Sequence, residues 1–162
     1  MAIKRQIFYS FHFGNDVMRV QQIRNIGFLE DNKPVSANEW EQIRRGSDSA
    51  IQKWIDDNIK YKSCVVVLVG EETANRRWVQ YEIKKAWNDR KGLLGIHIHN
   101  IKCPRNGLGR QGMNPFDKFT IKGQKLSSIV KCYNPSPYDA YSDIRNNMER
   151  LVEEAIKIRN NY

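Results

Sequence analysis

Glu82 stands inside the apolar stripe of a helix. Residues 75–87 read NRRWVQYEIKKAW. With a helical step of about 100° per residue, Trp78, Val79, Ile83 and Ala86 share one arc. Arg77, Gln80, Lys84 and Lys85 share the opposite arc, and Glu82 falls between Trp78 and Ala86. An exposed helical Glu is usually matched by a cation four residues on. Here that place is Ala86, and the nearest cation on the helix is Lys85. A carboxylate facing a core must have a buried partner, be neutralised by a raised pKa, or look into a cavity holding something polar. The last is the arrangement of a binding or catalytic site.

Other patterns imitate chemistry without its context. GLGRQG at 107–112 has the letters of G-x-G-x-x-G. A dinucleotide fingerprint needs a strand before it and a helix opening on its last glycine. KCPRN before it breaks a strand and Pro115 after it prevents a clean helix start, so the segment reads as a flexible loop. His97 and His99 lie on the same side of a strand in HIH, but no Asp, Glu or Cys nearby completes a metal-ligand set. They read as half-buried polar strand residues, and no metal is expected. Cys64, Cys103 and Cys132 are too few and too scattered for a disulfide framework or a zinc ribbon, and they fit a reducing compartment.

These groups must be positioned by a chain of 162 residues, 40% of them apolar, with a net charge of +9. That is the size of one ordinary domain with a real core. No membrane span or signal peptide is expected, and the cytoplasm is the expected compartment. The positive charge admits an anionic partner, either a nucleic acid or a phosphate-bearing small molecule. The basic residues are not interleaved with aromatics, so nucleic acid is not the expected partner.

Strands are expected at 4–11, 63–70, 92–99 and 126–133. Helices are expected over GNDVMRVQQIRNIG, at 48–59 with Ser47 or Asp48 as cap, at about 76–90, and at 138–160 as a C-terminal amphipathic helix. The run SCVVVLVG shows no alternation, which implies a strand covered on both faces. Residues 28–46 give only a weak strand signal, and 100–125 form a long loop. Strands alternating with helices predict an α/β fold: a mostly parallel sheet of about four or five strands, helices on both faces, flavodoxin-like and three-layered. The whole chain, 1–162, reads as one domain. In such a sheet ligands bind at the carboxyl ends of the strands. Glu82, in the second turn of the helix after the central strand, is then near that rim. No strand ends in Asp, which sets aside a phosphoacceptor receiver domain.

The stretches IFYSFHF, CVVVLVGEETANRRWVQYEIKKAW and LLGIHI resemble the TIR and TIR-like pattern: an aromatic-Ser-aromatic first strand, a hydrophobic strand, a polar turn, and a Trp followed four residues later by Glu. With NPFD included, the chain is most similar to the TIR-like subunit of bacterial Thoeris antiphage systems. The resemblance covers about residues 5–118. It implies an enzyme that cleaves the nicotinamide–ribose bond of NAD and makes a cyclic or conjugated ADP-ribose signal for a separate effector protein. NAD is then substrate, and no cofactor is implied.

The resemblance makes Glu82 the catalytic residue. Nicotinamide leaves without a proton donor, and a single carboxylate can stabilise the oxocarbenium-like ribose. Trp78 and Phe11 are expected to wall a base. Ser10 and His12 are expected to contact ribose or phosphate, Thr73 and Asn75 to precede a helix that faces the pyrophosphate, and Asn114 to touch ligand or shape a turn. Self-association or a phage-derived cue is left as the trigger, although the loop through which TIR domains assemble is weakly marked here. The competing readings are a non-catalytic TIR-like protein-interaction module and a small basic nucleotide- or nucleic-acid-binding domain.

Overall fold

A computed structural model describes residues 5–23, 42–43, 45–103 and 107–162. In chain order the elements are β1 (Ile7–Phe11), α1 (Phe13–Ile23), α2 (Asp48–Ile59), β2 (Cys64–Val69), α3 (Arg77–Asn88), β3 (Gly92–His97), β4 (Thr120–Ile121), β5 (Gln124–Lys125), β6 (Cys132–Tyr133) and α4 (Ala140–Asn160). Three 3-10 turns, Thr73–Asn75, Pro115–Lys118 and Leu126–Ser128, join them.

The unalternating run forms β2, buried at every position. It is flanked by β1 and β3, with β6 beyond β3, and all three pairings are parallel. Successive side chains of a strand point to opposite faces, so β2 divides its side chains between two cores. Cys64, Val66 and Leu68 join Ile7, Tyr9, Leu94 and Ile96 beneath α1 and α4. Val65, Val67 and Val69 join Phe8 and Leu93 beneath α2 and α3. Each fully buried aliphatic side chain contributes about 1.5–3 kcal/mol of transfer free energy. The expected three-layer, mostly parallel, flavodoxin-like arrangement is present, with four strands in the main sheet among the described residues.

Local signals explain the helix bounds. Ser47 caps α2, its Oγ accepting from Ala50 N at 3.2 Å. Asp139 caps α4 by accepting from Ser142 N at 3.1 Å. Ile144, Met148, Leu151 and Ala155 bury one side of α4, as their spacing predicts. Near the end of that helix Arg159 is buried against α3, both Nε and one Nη donating to Trp87 O at 3.0 and 2.9 Å.

The strand expected at 126–133 shrinks to Cys132–Tyr133. The β4–β5 ribbon ends immediately before it, and Leu126 N donates to Phe119 O at 2.8 Å. The chain then turns through the 3-10 segment, which lets both Leu126 and Val130 enter the core beneath α2 and α3. Apolarity alone did not separate that turn from a strand. The weak strand signal at 28–46 lies almost wholly outside the described residues. Among the described residues, no helix is long and apolar enough to cross a membrane.

Candidate active site

The parallel register brings the carboxyl ends of β1, β2 and β3 to one rim. Ser10, Val67, Gly95 and Cys132 stand in one rank across the sheet. Ser10 follows Phe8 by two residues, so it faces α2 and α3. The second turn of α3 lowers Glu82 onto that face, where it is only 5% exposed. No ion pair reaches Glu82 among the described residues. Burial pushes its carboxyl up to about 8, and the Ser10 hydroxyl beside it pulls part of the way back. That hydroxyl is not aligned as a full hydrogen bond: Ser10 Oγ and Glu82 Oε2 are both buried and lack a partner among the described residues. An unmade buried hydrogen bond costs about 1–3 kcal/mol per group, so two at one point mark a place built for something else.

Of the three resolutions open to Glu82, the free protein takes neutralisation. The carboxyl is enclosed, and burial favours its neutral form. A pocket of about 380 Å³, lined in part by Gln22, Ile101, Lys102, Leu108, Tyr138 and Tyr141, lies by α1 and the start of α4, and Glu82 is not among its lining residues.

The other sequence-predicted residues divide between the two faces. Trp78, one turn before Glu82, is half-buried at the edge of the core beneath α2 and α3. Its ring meets Tyr81 edge-on at 5.7 Å and carries the Arg77 guanidinium at 4.6 Å. His12 is half-buried just beyond β1. Phe11 packs against the core beneath α1 and α4, the face opposite Ser10 and Glu82, and is not brought beside the carboxyl. Asn75 is exposed in the turn before α3, and the side chain of Arg76 at that helix's N-cap makes no capping hydrogen bond among the described residues. Asn114 uses its side chain on its own turn, Oδ1 accepting from Phe116 N at 2.9 Å.

Thr73 is fully buried and its hydroxyl is committed on both sides. Oγ1 accepts from Gly70 N at 2.8 Å and donates to Asp16 Oδ2 at 3.4 Å. Asp16, in the first turn of α1, was legible only as a helix-start residue. It is 2% exposed, and its Oδ1 lies 3.7 Å from Arg19 Nη1. Burial raises its carboxyl to about 6 against the opposing pull of Arg19 and Thr73. An Asp–x–x–Arg pair on a helix with apolar neighbours was the available signal, but the spacing is also that of an ordinary surface pair.

The loop 107–112 makes no dinucleotide fingerprint, and it is fastened to the rim. Arg19 Nη2 donates to Gly107 O at 3.0 Å, and Gly109 N donates to His99 O at 2.8 Å. Gly112 sits so close to β2 that a Cβ there would fall 1.9 Å from Gly70 O. The His97 and His99 rings meet edge-on at 5.8 Å, and His97 Nε2 contacts Cys132 Sγ at 3.4 Å. Among the described residues no group of three or more His, Cys, Asp or Glu is placed to hold a metal.

A family model described as "Thoeris protein ThsB, TIR-like domain" matches residues 8–102, the span that holds Ser10, Asp16, Thr73 and Glu82. A protein of Bacillus cereus (strain MSX-D12), named "Putative cyclic ADP-D-ribose synthase ThsB1", is 34% identical over 131 residues, covering 75% of this chain and 68% of that protein. By both measures the chain belongs to the Thoeris ThsB TIR-like family.

Proposed function

We propose that this chain is an NAD-cleaving ADP-ribosyl cyclase, with Glu82 as the carboxylate that stabilises the reacting ribose. The observation that carries the reading is the buried pair of Glu82 Oε2 and Ser10 Oγ, both without a partner among the described residues and both on the rim face of the sheet. The relative's name points to the same product class, a cyclic ADP-ribose.

The chemistry follows from the charges. The nicotinamide ring of NAD is cationic, so the C1′–N bond breaks with its electron pair going to the ring and neutral nicotinamide leaving. Positive charge then develops at C1′ and the ring oxygen. A carboxylate held in a dry site stabilises that charge far better than one in water. The cation also favours the charged form of Glu82, so substrate binding displaces the carboxyl proton. A nucleophile within the remaining ADP-ribose closes the ring at C1′ and gives up its proton to the carboxylate or to water. Ser10 is assigned to Glu82 and the ribose hydroxyls, and Trp78 to the base. The uncapped start of α3 favours the pyrophosphate. Asn75, His12 and Asn114 are assigned to the substrate's periphery. The product is assigned to a separate effector protein of the Thoeris system.

The test is nicotinamide release and mass analysis of the nucleotide product, with pure protein and with extracts of phage-infected cells expressing the chain. Turnover that disappears in a folded Glu82→Gln variant supports the reading. Absence of nicotinamide release in both settings, with a protein partner recovered in its place, favours a non-catalytic interaction module.

A further inference from the structure

We propose that Asp16 is a positioning residue that holds the loops after β1, β2 and β3 in one arrangement around Glu82, acting through Thr73 and Arg19 without touching substrate. The activity part of this inference rests on the NAD reading; the loop-holding part does not.

Two residues one helical turn apart reach all three loops. Asp16 lies in the first turn of α1, just after β1. Its Oδ2 takes the Thr73 hydroxyl in the turn after β2, and that hydroxyl in turn holds Gly70 N. The Asp16 carboxyl lies so close to Gly70 that a Cβ there would fall 2.1 Å from Oδ2. Arg19 faces Asp16 with Nη1 and extends its other nitrogens to the segments after β3, Nε to Ile101 O at 2.9 Å and Nη2 to Gly107 O at 3.0 Å. A guanidinium presents its donors in a fixed fork, so orienting one nitrogen orients the others. The turn held by Thr73 leads straight into α3, and α3 carries Glu82.

The charge state of Asp16 sets the strength of this hold. The groups facing it are Arg19 on α1, Thr73 in the turn, and the Glu71 and Glu72 carboxylates, which oppose its ionisation. His99 is close enough to Arg19 to have its pKa lowered by that charge as well as by burial. Ionised, Asp16 accepts from Thr73 and pairs with Arg19. Protonated, below about 6, it leaves Arg19 without a counter-charge and the carbonyl grip loses its orientation.

Two measurements test this. In amide hydrogen exchange at pH 7, Asp16→Asn speeds exchange at least tenfold in both 70–76 and 107–112, leaving α4 unchanged. Thr73→Val speeds 70–76 alone, and Thr73→Ser restores it. Arg19→Lys speeds 101–112 alone. Uniform acceleration across the chain, or none in either loop, overturns the inference. In the pH profile, log kcat/KM of the wild type falls with slope one between about pH 6 and 8 and more steeply just below about 6, because loss of the Asp16 charge loosens the loops as well. Asp16→Asn falls with slope one throughout. A wild-type slope of one down to pH 5, or an unchanged profile in Asp16→Asn, also overturns it. Loop exchange as expected with no nicotinamide release in any form rejects the NAD reading and leaves the positioning role of Asp16 standing.

Discussion

Glu82 on α3 and Ser10 on β1 meet inside the sheet rim with Glu82 Oε2 and Ser10 Oγ both buried and unpaired among the described residues. The pair is a liability in a free protein and an asset in a complex. Burial raises the carboxyl to about 8, and the pair leaves two polar groups waiting for a ligand that brings positive charge and hydroxyls.

Replacing Glu82 by Gln separates function from stability. Loss of one preorganised electrostatic group costs about 10²–10³ in kcat, read as nicotinamide released per enzyme. Stability moves the other way. The folded carboxyl near 8 binds a proton that the unfolded chain, with its value near 4.5, has released. The contribution of Glu82 to wild-type stability is therefore full below about 4.5, declines as pH rises, and levels off above about 8. Gln has no such decline. The variant gains roughly 2–4 kcal/mol over wild type at pH 8, read by denaturant unfolding at pH 5 and at pH 8.

The activity profile follows the same group. Between about pH 6 and 8, kcat/KM rises about tenfold per unit and then levels. In the substrate complex the cationic nicotinamide favours the carboxylate, so kcat levels at a lower pH than kcat/KM. Coincident bends in the two profiles would refute charge pairing between Glu82 and substrate.

Ser10→Ala removes the one group that pulls the Glu82 carboxyl back toward the ordinary range. The bend in kcat/KM moves to higher pH, and activity at pH 7 falls about 3- to 10-fold. An unchanged bend assigns Ser10 to packing alone.

Gly112→Ala places a Cβ against the Gly70 carbonyl, with Glu71 O next nearest. Backbone on both sides cannot yield, so loop 107–112 must lift. A loss of roughly 2–4 kcal/mol is expected, together with lower activity, measured as Tm and kcat/KM.

Arg159→Ala serves as a control at the far end of the fold. It removes two hydrogen bonds to Trp87 O and a guanidinium stacked 4.2 Å over the Trp87 ring. The expected cost is about 2–3 kcal/mol, or about 4–10 °C in Tm. The pH profile of the folded variant keeps the wild-type shape.

The sequence by itself determined the order of the four helices and of the first three strands, the doubly covered central strand, the amphipathic C-terminal helix and the odd placement of Glu82, but not the β4–β5 ribbon in the expected loop. These are local properties: periodicity, capping residues and apolar runs within a few turns of chain. Alternation along β1 also placed Ser10 and Phe11 on opposite faces, but only the tertiary structure decided which face meets α3, and it sent Phe11 away from the carboxyl. The tertiary structure likewise decided that Glu82 is enclosed, with its carboxyl pushed up by burial, and that GLGRQG is fastened to the rim. It also joined Asp16 to Thr73, 57 residues on, and Arg19 to Ile101, 82 residues on. Contacts at such separations depend on how three strand ends converge, and that convergence comes from packing two cores against a twisted sheet, which no local pattern encodes.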